Sequence, residues 1–179
     1  MLRIRFPAGS VLPDSLRRLG KIASAHGNGV LHITTRQEFR VHRVPLDSIL
    51  PALRALAAAG LYTKGSGGNT VRNVTAFFDS GVCPHELFDV VPYAVALTER
   101  LTPDLLSFRL PRKYKIAFAA CARDCPGATV NDVGFIAAKK MAPTAAHEAN
   151  QRTARVRKPS FASKARSKDG PDFTVTPKR

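Results

Sequence analysis

Apolar and polar residues alternate in LRIRF, residues 2–6, so this segment is predicted to be a strand. The period then lengthens. LPDSLRRLGKIASAHG places Leu16, Leu19, Ile22 and Ala23 on one helical face, with Pro13 in the first turn and Gly27 beyond the end. NGVLHITTR and EFRVHRV are two further β-rich runs, and LDSILPALRALAAAG is a second helix. Its stripe is Leu46, Ile49, Leu50, Leu53 and Leu56, and Gly60 ends it. LYTKG is a candidate closing strand. Residues 1–60 thus read β-α-β-β-α, the order of a split-βαβ, ferredoxin-like sandwich with two helices on one face of an antiparallel sheet.

The pattern is less regular afterwards. KGSGGNTVRN is glycine-rich and polar, which predicts a loop whose backbone approaches a ligand closely. FDVVPYAVALTERLTP predicts a third helix with Asp89 near its start, RKYKIAFAAC a strand, and DVGFIA a last strand. The expected fold class is α+β. A ferredoxin-like half-domain spans residues 1–64, a mixed α/β half-domain residues 65–140, and a disordered basic tail residues 141–179.

Composition sharpens this division. The 179 residues carry a formal net charge of +15 and are 44% hydrophobic, an ordinary globular fraction. From Lys139 onward 11 Lys/Arg stand against 3 acids, a balance of +8 in a segment with few large apolar residues. Such a segment buries too little surface to offset its chain entropy. It reads as a solvated tail, or more sharply as an arm that contacts nucleic acid by releasing counterions from phosphates. No run of about 18 apolar residues is present, so no membrane span is expected. MLRIRFPAGS is not a signal peptide. The expected compartment is the cytoplasm, where Cys83, Cys121 and Cys125 point to a metal or cluster more than to disulfides.

Four cations stand out by their settings. Arg36 lies in TTRQ between two predicted strands, and Arg72 follows the glycine loop. Lys113 and Lys115 are two apart on a predicted strand and so share a side. They read either as solvated surface charges or as a convergent set that neutralises an oxyanion and donates hydrogen bonds to it. His26, His32, His42 and His147 show no catalytic spacing, and no Ser-His-Asp set, P-loop or dinucleotide fingerprint occurs.

HITTRQEF, SGGNTVRNV and LPRKYKIAF…NDVGFIA, taken together, resemble the sirohaem-containing nitrite and sulfite reductases over about residues 1–140. The resemblance implies a ferredoxin-like half-domain followed by the first of two haemoprotein repeats, with sirohaem and a [4Fe–4S] cluster coupled through a shared thiolate. It assigns Arg36, Arg72, Lys113 and Lys115 to substrate and sirohaem-carboxylate contacts. Cys121 and Cys125 match the C-x3-C pair of cluster ligands, and Cys83 matches the later cysteine of C-x5-C. Phe77 stands where the fourth cysteine is expected. His85 is then a candidate fourth ligand, and Cys83, His85, Cys121 and Cys125 equally describe a zinc set. The implied reaction is six-electron reduction of nitrite or sulfite, fed by an electron donor protein. The second repeat is missing from these residues, which suggests a truncated product that pairs with a second half-module or another copy. The competing expectations are a non-catalytic zinc- or anion-binding module, or an inactive remnant.

Overall fold

A computed structural model of the chain describes residues 1–138 and 172–177. The first five elements follow the predicted order: β1 (Leu2–Ile4), α1 (Pro13–His26), β2 (Leu31–Ile33), β3 (Phe39–Val41) and α2 (Leu46–Ala58). β3 is central and antiparallel to both neighbours, in the order β1-β3-β2, with Ile4 and Ile33 both opposite Phe39. Strand alternation then sorts the sheet into two chemical faces. Ile4, Phe6, Phe39 and Val41 pack with Leu19, Ile22, Ala23 and Leu56 in one core. Arg3, Arg5, Glu38 and Arg40 occupy the alternate positions of β1 and β3 and their extensions, opposite the helices.

Two expectations for this half need correction. Leu46 and Leu50 of the α2 stripe are 85% and 56% exposed, and the buried positions are Ala52 and Leu56. A sheet of three three-residue strands is too small to cover a 13-residue helix, so the first turns of α2 overhang it. Residues 61–65 form no strand and meet the chain just after β1 through the bond from Arg5 N to Tyr62 O at 3.1 Å. Leu61 dives into the core and the chain turns at Gly65, leaving too few residues for a ladder.

The second half comprises α3 (Val91–Leu101), β4 (Ile116–Ala119), β5 (Val133–Ala138) and β6 (Asp172–Pro177). β4 and β5 are parallel, and β6 adds to the far side of β5 antiparallel. Residues 71–75 run beside the entrance to β4 through bridges Val71↔Tyr114 and Thr75↔Ala117. Every residue of β4 is buried, and Val74, Ala76, Phe77, Val90, Ala94 and Phe118 form the core against α3. Asp89 lies near the start of α3 as expected, and its carboxylate accepts from the Val91 amide at 2.9 Å. Lys113 and Lys115 precede β4 and flank the bridge residue Tyr114, one step short of the expected strand placement.

β6 falls inside the segment expected to lack structure. DFTVTP holds the consecutive β-branched residues Thr174, Val175 and Thr176 next to Phe173, a short strand signal that the overall basic composition hides. The rest of the predicted tail, His147 included, lies outside the described residues.

A few polar bonds weld the halves together. The buried Asn73 amide donates to Phe6 O at 2.7 Å and Arg36 O at 2.9 Å. Gln37 clasps the Ala76 backbone from both sides, donating to its carbonyl at 2.8 Å and accepting from its amide at 3.0 Å. The Ala8 amide donates to Val74 O at 3.0 Å.

Candidate anion-binding site

The TTRQ segment is the turn of the β2–β3 hairpin. Thr34 N donates to Glu38 O at 2.9 Å, and Gln37, at φ 54°, donates back to Thr34 O at 3.0 Å. The Thr34 hydroxyl accepts from the amides of Arg36 and Glu38, which braces the turn from within. Arg36 is thereby thrust into the second half. Its guanidinium donates to Asn131 Oδ1 at 2.7 Å, Asn73 O at 2.5 Å and Ile116 O at 2.8 Å. Burial lowers its pKa to about 10, and neighbouring Arg72 and Arg5 push the same way; it stays cationic at neutral pH.

Arg72 and Arg3 converge on one acceptor. Both donate to the carbonyl oxygen of Ser66, at 2.6 and 2.8 Å, and the Ser66 hydroxyl returns a bond to Arg3 O at 3.0 Å. Arg5 donates to Arg72 O at 3.2 Å. Gly65, at φ +76°, makes room for this: a Cβ there would sit 2.6 Å from Arg5 Nη1 and 2.8 Å from Phe108 Cε1. The glycine loop therefore serves Arg5 and Ser66 rather than standing open. Arg40 lies directly across from Arg3 in the β1–β3 register.

One carboxylate sits among these cations. Glu38 is 1% exposed, and its Oε2 lies 3.8 Å from Arg3 Nε. Burial raises its pKa despite the nearby Arg3, Arg5, Arg72 and Arg36. Burial also lowers the pKa of Arg3 and Arg5, with Arg40 and Arg72 contributing like-charge repulsion at Arg3 and Arg72 at Arg5. The Nε atoms of Arg3, Arg5, Arg36, Arg40 and Arg72 are buried without a hydrogen-bond partner, as are Glu38 Oε1 and Asn73 Oδ1. Buried N–H groups are normally paired, because an unmade bond costs about 1–3 kcal/mol. Four guanidinium groups act on one buried carboxylate, with Arg40 beside Arg3, and this excess of positive charge biases the site toward anions.

The lysines join this site through the backbone. Tyr114 N donates to Thr70 O at 3.0 Å, and Arg72 N donates to Tyr114 O at 2.8 Å. In such a parallel bridge Val71 and Tyr114 share one side, which sets Arg72, Lys113 and Lys115 on the other. Lys113 is exposed and Lys115 half-buried, its amide held by Asp132 Oδ2 at 2.8 Å. The structure thus joins Arg36 and Arg72 in one network and aligns both lysines beside it. Arg3, Arg5, Arg40 and Glu38 were not among the expected site residues. Their signal was the alternation in LRIRF and EFR, where every second residue is charged.

The expected metal ligands are not brought together. Cys121 is buried, Cys83 half-buried and Cys125 exposed, all as free thiols, and His85 is exposed. Among the described residues no three His, Cys, Asp or Glu side chains are grouped to hold a metal ion. Phe77 is 2% exposed and shares its core with Cys121, against which Cys83 also packs. The rings of His32 in β2 and His42 just after β3 meet edge-on with centroids 5.7 Å apart.

Comparison with known proteins gives this arrangement its relatives. Residues 1–59 match the family model of the nitrite/sulfite reductase ferredoxin-like half domain, and residues 67–157 match that of the nitrite and sulphite reductase 4Fe–4S domain. The chain is 29% identical over 150 residues to the assimilatory ferredoxin-dependent nitrite reductase of Haloferax mediterranei, covering 78% of this chain and 26% of that protein. It is 29% identical over 161 residues to the sulfite reductase [NADPH] hemoprotein beta-component of Xylella fastidiosa, covering 76% and 28%. The solved structure of the Mycobacterium tuberculosis NirA protein superposes with a TM-score of 0.68 at 26% identity, over 76% of this chain and 24% of that one. The chain spans about a quarter of the length of these relatives. Two consecutive domain matches, together with the ferredoxin-like sheet, show that it belongs to the nitrite and sulfite reductase family.

Proposed function

We propose that the basic face is the sirohaem- and oxyanion-binding part of an oxidoreductase of the nitrite/sulfite reductase type. The observation that carries this reading is the cluster of Arg3, Arg5, Arg36 and Arg72 around the buried carboxylate of Glu38, with Arg40 beside Arg3 and the Nε atoms of all five buried without a hydrogen bond. A polyanionic macrocycle offsets the like-charge repulsion among Arg3, Arg5, Arg40 and Arg72, so the residues present fit a cofactor rimmed with carboxylates. Sirohaem, when bound, supplies the iron at which nitrite or sulfite is reduced by six electrons.

The chain's own side chains divide the remaining work. Arg3 and Arg72, anchored on Ser66, hold carboxylates or the oxygens of the anion. Lys113 and Lys115 lie beside Arg72; their ammonium groups have no ion-pair partner among the described residues and are the candidates to deliver protons. Arg36 keeps the floor of the site rigid through its three internal bonds, and its remaining Nε–H is its contribution to a ligand. The two halves, residues 1–64 and 65–140, contribute one wall each. The remaining partners of the proposal are an electron donor protein and a second half-module or second copy, acting in the cytoplasm.

The test is titration of the purified chain with sirohaem, followed by absorption, and then with sulfite or nitrite. Arg72→Gln, Lys113→Met and Lys115→Met are expected to weaken binding, while Lys21→Met on the exposed side of α1 leaves it unchanged. Equal binding by all five proteins overturns the assignment.

A further inference from the structure

The family match implies a [4Fe–4S] cluster, and the cysteines of this chain do not fit one. Such clusters are held by four thiolates converging on the iron atoms. By resemblance to the family's C-x5-C pair the fourth position is Phe77, which the fold does not leave free to move aside. Its ring is 2% exposed and packs in the apolar core that includes Val74, Val90, Phe118 and Cys121. The backbone just before it is pinned by the two bonds between Gln37 and Ala76. Cys121, at 3% exposure, is part of that same core, and Cys83 packs against it from a turn in which its amide donates to Asp79 O at 3.1 Å. Cys125 is on the other side of the solvent boundary. The Asp124 carboxylate orders the loop around Cys125 by accepting from the amides of Ala128 and Thr129, at 2.5 and 3.0 Å. One thiol in an apolar core, one half-buried against it and one exposed, with no group of three His, Cys, Asp or Glu among the described residues, make no cubane cage.

We infer that this chain assembles no [4Fe–4S] cluster on its own cysteines: Phe77 converts the cluster lobe into apolar core, in which Cys83 and Cys121 act as small hydrophobic residues. Any reduction at the arginine face then draws electrons from a redox centre carried outside Cys83, Cys121 and Cys125.

The full chain, purified anaerobically and incubated with ferrous iron, sulfide and reductant, is assayed for iron and acid-labile sulfide after gel filtration. The expected result is no cluster held by the cysteines and no thiolate-to-iron absorption. Cys125 is expected to react with iodoacetamide at the same rate before and after this treatment, and Cys121 only after unfolding. Cys83→Ala, Cys121→Ala and Cys125→Ser should leave the iron content unchanged. A stoichiometric cluster that protects Cys125 and is lost in Cys125→Ser overturns the inference; iron that survives all three substitutions is not cysteine-bound and leaves it standing. Sirohaem titration of the same samples reads the arginine face separately, so failure of either reading is seen independently of the other.

Discussion

The guanidinium groups of Arg3 and Arg72, 69 positions apart in sequence, donate to the same carbonyl oxygen, that of Ser66, at 2.8 and 2.6 Å. One neutral acceptor shared by two cations is a poor electrostatic match unless an anion completes it. Arg3→Gln and Arg72→Gln are each expected to lower the affinity for a polycarboxylate macrocycle about tenfold, since a hydrogen bond to a charged group is worth about 1.5–3 kcal/mol. The double variant should lose less than the product of the two, because the pair shares its anchor. Four titrations, completing one double-mutant cycle, check this.

Asn73 is the joint between the halves. Its side chain is fully buried and donates to Phe6 O and Arg36 O. Asn73→Ala removes both bonds: Phe6 O keeps the Gly9 amide at 2.9 Å, while Arg36 O loses its Asn73 donor, and the change is expected to destabilise the chain by about 1–3 kcal/mol. Urea unfolding measures it as a lower midpoint. A value unchanged from the parent would mean that the halves hold together without this bond.

Gly65→Ala combines a left-handed backbone with a collision. At φ +76° an alanine is strained, and its methyl meets Arg5 Nη1 and the Phe108 ring. The variant is expected to unfold at lower denaturant and to bind anion more weakly, because Arg5 and the neighbouring Ser66 carbonyl must shift together. Gly67→Ala, where nothing lies within 4 Å of the new methyl, is the matched control and should change neither property by much.

Glu38 sets the pH dependence. Burial raises its pKa in the folded chain above the ordinary value of 4.5, so the native state binds this proton more tightly than the unfolded state. By linkage, its contribution to stability is full below pH 4.5 and falls as pH rises toward the folded pKa. Glu38→Gln removes the titration, and the difference in Tm between parent and variant should change with pH over the interval just above 4.5 and level off beyond it. Removal of the buried carboxylate should also tighten anion binding at neutral pH. Thermal scans across a pH series, together with one anion titration, test both consequences.

Much of this architecture is legible from local pattern. The 3.6-residue spacing of Leu19, Ile22 and Ala23 marks α1, and the two-residue spacing of Leu2, Ile4 and Phe6 marks β1 and its buried face. Asp89 is expected near the start of the third helix, and it lies two residues before Val91, whose amide it accepts from. These features depend on near neighbours in the chain, whose geometry repeats wherever such sequences occur. Leu46 and Leu50 mislead because their burial depends on how far the sheet extends beneath α2, which no helical period records. β6 is missed because its pairing with β5 is a long-range event in a segment whose average composition is polar.

The site divides along the same line. Residue types and motif order already single out Arg36, Arg72, Lys113 and Lys115, and resemblance to the family's C-x5-C pair already marks Phe77 as the place of the missing fourth cysteine. That Arg3 and Arg5 crowd around Glu38, that Arg36 spends its Nη groups on internal carbonyls and Asn131, and that Cys121 and Cys125 fall on opposite sides of the solvent boundary all emerge on folding. Chain order sets which groups are available and which face of each element they occupy. Their charge balance, burial and hydrogen-bond vacancies depend on which distant segments meet, and those contacts exist only once the sheet, the Ser66 turn and β4 have packed together.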